Sequence, residues 1–286
     1  MTHNTALTPD VVETPSGKGA SDENFPVGSW LIARALRPHV ARYYAFARAT
    51  DDIADNPALS PEDKIRRLDL FDQGLAPGAT APEIAVRLRD SLAATGVPVE
   101  TARDLLIAFR QDAIVTRYAD WDALLTYCRY SAHPVGRYLM ALHGEDPALG
   151  PMGDALCAAL QILNHLQDIK ADAAGLDRVY LPEDWLAAEG VTRADLEAER
   201  ASPGLRRVID RCLDGTDALL DRSEPLAGAM RARRLGAETA VIQRLARRLS
   251  TRLRGEDPLA GRVKHRASDL AAGAIAGGAR LLRGRR

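Results

Sequence analysis

Two segments of the chain carry acidic side chains at helical spacing. The first contains Tyr44, Arg48, Asp51, Asp52 and Asp55. At about 100° per residue these side chains share an arc of roughly 100° on a helix, and Asp51 lies one turn from Asp55. Aspartate is a poor helix-interior residue and like charges repel, so a bound Mg²⁺ would explain the cluster. The alternative is a solvated face on which Arg48 neutralises its neighbours.

The second segment carries Gln161, Asn164, Asp168 and Asp172, spaced by three, four and four residues. On a helix they share an arc of about 80°, and most of the remaining surface is Leu and Ile, which is typical of a buried helix. A polar stripe there is costly unless it is paired or faces a wet cavity. We expect a second metal-binding stripe, with Asn164 as a neutral oxygen ligand and Gln161 as a substrate contact. The alternative is a buried hydrogen-bond network.

Two such stripes on separate helices predict a bundle whose core is an active site. Together they could clamp a diphosphate through bridging Mg²⁺, which acts as a Lewis acid when the leaving group departs. Arg178 follows the second stripe and is placed to cover an anionic substrate group, since arginine suits phosphate. The alternative is a surface loop with a buried tyrosine.

The elements that must position these residues are helical nearly everywhere from Asn24 onward. The pattern predicts helices from Pro38 to about Asp55, from Ser60 onward, and near 81–95, 101–117, 121–143, 151–173, 204–230 and 236–254, with a loop over 175–182. No alternating run indicates a sheet. Pro134 and Gly136 predict a kink beside the cavity, with an ordinary packing bend as the alternative. We therefore expect one all-α domain.

Composition bounds the class of protein. The chain has 286 residues, 46% of them hydrophobic and 27% charged, as in a soluble globular protein. A net charge of −1 gives no reason to expect nucleic-acid binding. Three widely spaced cysteines indicate reduced thiols. With no membrane-spanning run and no signal pattern, we expect a cytoplasmic protein.

The two ends of the chain differ from the rest. Residues 1–22 lack periodicity and are predicted to be disordered, which leaves 23–260 as the folded domain and 261–286 as a basic tail. From Arg262 onward seven Lys or Arg residues accompany one acid, Asp269. This tail could form a membrane-surface helix, but its glycines favour a solvated tail. A water-insoluble substrate would make contact with the inner membrane face useful, so we expect that such contact occurs.

Four motifs, in this order, resemble the squalene/phytoene synthase family over roughly residues 24–260. They are Tyr44-Ala45-Phe46-Ala47-Arg48, Asp51-Asp52-Ile53-Ala54-Asp55, Gln161-Ile162-Leu163-Asn164 with Asp168 and Asp172, and Arg178-Val179-Tyr180-Leu181-Pro182. Each motif is weak alone, and together they are specific.

The resemblance implies an isoprenoid-synthase helical bundle with a central cavity and dependence on Mg²⁺. The implied metal ligands are Asp51, Asp52, Asp55, Asn164, Asp168 and Asp172. The implied catalytic residues are Arg48, Tyr44 and Tyr127, and the implied substrate contacts are Arg48, Gln161, Asn164, Arg178 and Tyr180.

Within the family, residues 23–29 and 131–136 are similar to the bacterial hydroxysqualene synthase branch of squalene and hopanoid synthesis. Condensing relatives usually place arginine before the first aspartate of the second stripe, whereas this chain has Gln167. The implied reaction is release of diphosphate from presqualene diphosphate to give hydroxysqualene, with partner enzymes of squalene synthesis. The alternatives are head-to-head condensation of two prenyl diphosphates, and a helical scaffold subunit of a partner synthase.

Overall fold

The computed structural model describes residues 31–283, so the predicted disordered segment 1–22 and the motif at 23–29 lie outside the described residues. The helices are α1 Arg37–Asp55, α2 Pro61–Gly74, α3 Glu83–Thr95, α4 Glu100–Asp112, α5 Trp121–Ser131, α6 His133–Leu142, α7 Gly150–Leu176, α8 Glu183–Ala188, α9 Arg193–Glu197, α10 Pro203–Ser223, α11 Leu226–Ala229, α12 Arg233–Gly255 and α13 Ala267–Arg283. A 3₁₀ turn spans Pro147–Leu149. The prediction of an all-α protein is confirmed.

Helix α7 runs through the middle of the molecule. It packs against α5, α6, α9, α10 and α12, so the second polar stripe lies on the most surrounded helix. The buried apolar side chains form two clusters, one around α7, α10 and α12 and the other around α1 to α4. The acidic end of α1 therefore belongs to one cluster and the stripe of α7 to the other.

A short parallel pair of strands was not predicted. Strand β1 (Arg117–Tyr118) pairs with β2 (Val179–Pro182), and the Val179 amide donates to the Thr116 carbonyl at 2.9 Å. Both strands are too short to show alternation, and every residue of β2 is buried, so the sequence carries no period-two signal. The pairing brings the chain after α7 beside the chain after α4.

The predicted helix 121–143 is two helices that break at Ala132, whose φ and ψ are −123° and −44°. Pro134 lies in the first turn of α6, where its missing amide hydrogen costs nothing. A Cβ on Gly136 would lie 2.6 Å from the Cys157 sulfur, so α6 and α7 approach closely. The predicted kink is therefore present, in the sharper form of a helix break.

A solvated tail was expected at the C-terminal end, but residues 267–283 form helix α13. Helix α13 packs along α12, and buried Asp269 accepts a hydrogen bond from Arg252 Nε at 2.6 Å. The glycines that favoured a tail allow this packing, because a Cβ on Gly277 would come within 2.7 Å of Val241. Over residues 31–283, α13 included, no helix is long and apolar enough to cross a membrane.

The two adjacent glycines of α13 provide a matched test of this packing. We expect Gly277→Ala to lower the free energy of unfolding by about 1–3 kcal/mol, because the new methyl group overlaps Val241. Gly278→Ala meets no atom within 4 Å and should stabilise by up to about 1 kcal/mol through helix propensity. Thermal and urea unfolding measure both. Equal effects of the two substitutions would contradict close packing at Gly277.

Candidate active site

A cavity of about 390 Å³ lies between α1, α5, α6, α7 and α12. Five of the predicted site residues line it, namely Tyr44, Arg48, Asp51, Tyr127 and Gln161. The two stripes predicted from the sequence thus contribute side chains to a single space. The rest of the lining is mostly aliphatic or aromatic, and α11, α12 and the turn between them supply Leu226, Met230, Leu235 and Ile242.

Aromatic rings form much of the cavity wall. The rings of Tyr43 and Tyr138 stack with their centroids 3.8 Å apart, and both are nearly fully buried. The Tyr43 hydroxyl donates to the Thr101 carbonyl at 2.8 Å, which fixes this ring against α4. Phe109, Tyr44 and Tyr127 add further aromatic faces. Such a wall accommodates a long hydrocarbon and presents π-electron faces to a developing positive charge.

The first acidic stripe occupies the last two turns of α1. Arg48 bridges two of its acids, with Nη1 3.1 Å from Asp51 and Nη2 2.5 Å from Asp52. Arg48 therefore neutralises its neighbours as the alternative expected, but Asp52 is only 7% exposed and does not lie on a solvated face. The surrounding protein and the neighbouring Asp55 raise the pKa of Asp51 well above its usual range, and Arg48 offsets this in part.

Arg178 connects the first stripe to the chain after α7. Its Nη1 lies 2.5 Å from Asp55 Oδ1, its Nη2 donates to the Ala54 carbonyl at 2.9 Å, and its Nε donates to the Asp112 carbonyl at 3.2 Å. Asp177, at φ 52°, turns the chain into this position. Arg178 is 4% exposed and bonded to protein through all three nitrogens. Its role as a substrate contact stays a prediction, and its contacts here are structural.

Asp112 at the end of α4 is a central residue that the sequence interpretation missed. Its carboxylate accepts hydrogen bonds from Tyr127 at 2.9 Å and from Tyr180 at 3.2 Å. Burial raises the pKa of Asp112 to about 6, although Arg178 and the tyrosine hydroxyls act in the opposite direction. The available signal was an aspartate that continues the apolar stripe of Leu105 and Phe109 at helical spacing.

The second stripe faces the accessible side of an otherwise buried helix. Gln161, Asn164, Asp168 and Asp172 are each half-buried, while most of the residues between them are buried. The Asp172 carboxylate lies 4.0 Å from His165 Nδ1, and the His165 ring stacks on Tyr180 at 3.7 Å. Burial lowers the pKa of His165 to about 3, so this ring is neutral at physiological pH.

The position of Gln167 has an unexpected consequence. Gln167 is buried, and its side-chain amide donates to the Val263 carbonyl at 2.5 Å. This bond holds the chain between α12 and α13 against α7, where Arg262 Nη2 lies 2.9 Å from Asp168 Oδ2. A cation therefore does reach Asp168, from 94 residues away in sequence. The sequence alone could not have identified Arg262, because no local pattern relates it to the stripe.

The acidic groups suit Mg²⁺ that is shared with a substrate. Within residues 31–283, no three His, Cys, Asp or Glu side chains form a complete metal site. Mg²⁺ is usually held by one or two carboxylates together with substrate phosphates, so a partial protein site is the expected form. Around α1, four carboxylates (Asp51, Asp52, Asp55 and Asp112) face the cations Arg48, Arg178 and Lys64. Burial and then the neighbouring carboxylates raise the pKa of Asp51, and a divalent cation would relieve the repulsion between the carboxylates.

Known proteins resemble this chain over most of its length. The model of the squalene/phytoene synthase family matches residues 19–269. A hydroxysqualene synthase from Zymomonas mobilis is 45% identical, covering 93% of this chain and 91% of its own. One from Rhodopseudomonas palustris is 46% identical, covering 88% and 86%. The crystal structure of a squalene synthase from Alicyclobacillus acidocaldarius superposes with a TM-score of 0.72 at 34% identity, covering 82% and 89%.

The buried Asp112 predicts a specific dependence of stability on pH. Its pKa rises from 3.8 to about 6 in the folded protein, so its contribution to stability is fully present below 3.8 and is lost as the pH rises through 6. The wild-type free energy of unfolding should therefore fall by an amount on the order of 2 kcal/mol over this interval, and Asp112→Asn should not show this fall. Urea unfolding of both proteins from pH 4 to pH 7 with a metal chelator present measures the difference.

The exposed Asp122 on α5 offers a control, because Asp122→Asn should leave the wild-type pH profile in place. Removing the Asp112 charge also takes away one of the charges that raise the pKa of Asp51, and this change acts in the same direction on the profile. Parallel profiles for wild type and Asp112→Asn would show that Asp112 ionises normally in the folded protein.

Proposed function

Because this chain belongs to the squalene/phytoene synthase family, we propose that it converts presqualene diphosphate to hydroxysqualene with release of diphosphate. The observation that carries the proposal is the single cavity to which both polar stripes contribute, through Arg48 and Asp51 on one side and Gln161 on the other. The names of the relatives from Zymomonas mobilis and Rhodopseudomonas palustris support the choice of reaction.

Mg²⁺ is the proposed cofactor. Asp51 and Asp55 of α1, with Asn164, Asp168 and Asp172 of α7, would hold it, and Asp52 supports the first set through Arg48. When bound, the metal supplies Lewis-acid stabilisation of the departing diphosphate. Arg48 already balances two carboxylates, so its guanidinium can turn to the diphosphate once a divalent cation neutralises them.

The lining of the cavity supports the chemical steps of the proposed reaction. The carbon–oxygen bond to the diphosphate breaks, both bonding electrons leave with the oxygen, and a cyclopropylcarbinyl cation remains. The tyrosine and phenylalanine faces stabilise this cation while its ring opens. A water molecule then forms the new carbon–oxygen bond and loses a proton. Tyr127 is held by its hydrogen bond to Asp112, so its ring orientation is fixed before substrate arrives.

Head-to-head condensation of two prenyl diphosphates is the second candidate, and Arg262 is the observation that favours it. Gln167 disfavours condensation because it replaces an arginine that condensing relatives usually place beside Asp168. Arg262 supplies a guanidinium next to the same carboxylate, so a second diphosphate would not lack a cation. With Arg262 beside Asp168, the preference for hydroxysqualene formation is supported by the names of the relatives from Zymomonas mobilis and Rhodopseudomonas palustris rather than by Gln167.

Incubation of the purified protein with presqualene diphosphate and Mg²⁺ tests the proposal. We expect hydroxysqualene, detected by mass spectrometry, because water captures the cation. Diphosphate, detected by an assay for inorganic diphosphate, should form in an equal amount. The matched incubation contains farnesyl diphosphate alone. Release of diphosphate with a thirty-carbon product from that incubation, together with no hydroxysqualene from the first, would assign the condensation reaction instead.

Asp168→Asn tests the second stripe. The substitution keeps the shape of the side chain but removes the charge that Mg²⁺ needs, so we expect kcat to fall on the order of a hundredfold. Far-ultraviolet circular dichroism should stay unchanged, and Asp122→Asn on the exposed face of α5 is the control. A helical scaffold subunit predicts another outcome, in which the purified chain has no turnover and Asp168→Asn leaves support of a partner synthase intact.

A further inference from the structure

The outer face of α13 is entirely aliphatic. From Leu270 to Leu282, every exposed residue of this helix is Leu, Ile or Ala. Its three large side chains stand out in solvent, with Leu270 56%, Ile275 73% and Leu282 65% exposed. Exposed apolar side chains that form one contiguous surface often mark a site of interaction, whereas singly scattered ones are ordinary.

The fold does not require these side chains. The inner face of α13 is held by Asp269, which pairs with Arg252, by the close contact of Gly277 with Val241, and by Arg280. Arg280 Nε donates to the Ala227 carbonyl at 2.6 Å, and its Nη2 donates to the Met230 carbonyl at 3.0 Å. The helix is thus anchored along its length from one side. Its aliphatic outer face remains available for a partner.

Several Lys and Arg residues flank this face. The segment from Arg262 to the end of the chain carries seven Lys or Arg residues against the single buried acid Asp269. Lys264 is exposed just before the helix, as is Arg266, which also pairs with Glu256, and exposed Arg233 of α12 donates to the Leu281 carbonyl near its end. An aliphatic ridge with cations at both ends matches a bilayer surface, whose acyl region takes the side chains and whose phosphates face the cations.

The same charges argue against a second copy of the chain as the occupant. A symmetric pairing through this face would bring like-charged ends together, which is unfavourable across an interface.

The bilayer also suits the position of the cavity. Helix α12 lines the cavity with Leu235, Thr239 and Ile242, and its opposite side carries Val241, which packs on α13. The aliphatic face therefore lies one helix away from the hydrocarbon-lined space.

We propose that the outer face of α13 docks this protein on the surface of an anionic lipid bilayer, with Leu270, Ile275 and Leu282 inserted among the acyl chains. The surrounding Lys and Arg residues contact the lipid phosphates. The binding is peripheral and reversible, since one short aliphatic face supplies far less apolar area than a spanning helix. This inference does not depend on which reaction the cavity performs.

Vesicle co-sedimentation of the full chain tests the proposal. Vesicles of phosphatidylcholine with phosphatidylglycerol in equal parts are compared with vesicles of phosphatidylcholine alone. We expect binding to the anionic vesicles that weakens as salt is added, because the cations contribute through screened charge. The triple variant Leu270→Ser, Ile275→Ser, Leu282→Ser should lower the partition coefficient at least about tenfold. Its circular dichroism should be unchanged, because these side chains are mostly exposed to solvent.

The matched control replaces two exposed isoleucines elsewhere, Ile107→Ser and Ile114→Ser, which are 42% and 63% exposed in the wild type. This variant should bind like the wild type. Three outcomes would overturn the proposal. They are no binding of the wild type to anionic vesicles, equal binding of the triple variant, and a wild-type dimer in light scattering that the triple variant converts to monomer.

Discussion

The buried guanidinium of Arg178 is the interaction on which the arrangement of the site depends. It contacts the last residues of α1 through Asp55 and Ala54, and the last residue of α4 through the Asp112 carbonyl. An arginine this far from water is tolerable only when charge and hydrogen bonds compensate it, so each partner must keep its place. Three chain segments, distant in sequence, are thereby fixed at one point beside the cavity.

The arrangement of carboxylates follows from that point. Asp112 is held in a dry environment by two tyrosine hydroxyls, and the acids of α1 lie near it with too few cations to neutralise them. The resulting repulsion is a cost that a divalent cation, entering together with a diphosphate, would relieve under the proposed function. Oriented charges of this kind need little rearrangement during reaction, which is the main electrostatic benefit that a folded site offers.

Local patterns in the sequence predicted the parts of this structure that repeat along a helix. The acidic end of α1, the polar stripe of α7 and the break near Pro134 all follow from spacing or from proline chemistry. Contacts made across long separations were not predictable. Arg262 reaches Asp168, and Asp112 reaches Tyr180, through packing that no periodicity encodes. Strands β1 and β2 were not predicted because they are too short to show a pattern. Helix α13 was not predicted because its glycines, which allow close packing here, usually indicate the end of a helix.

The irregular segment between α12 and α13 is constrained more tightly than most loops. Two neighbouring residues in it are tied to α7, Val263 through Gln167 and Arg262 through Asp168. Surface loops usually accept changes in length during evolution. Here an inserted or deleted residue would separate the two ties or shift α13 along α12. Natural variation in length should therefore avoid this segment and collect in other connections of the molecule.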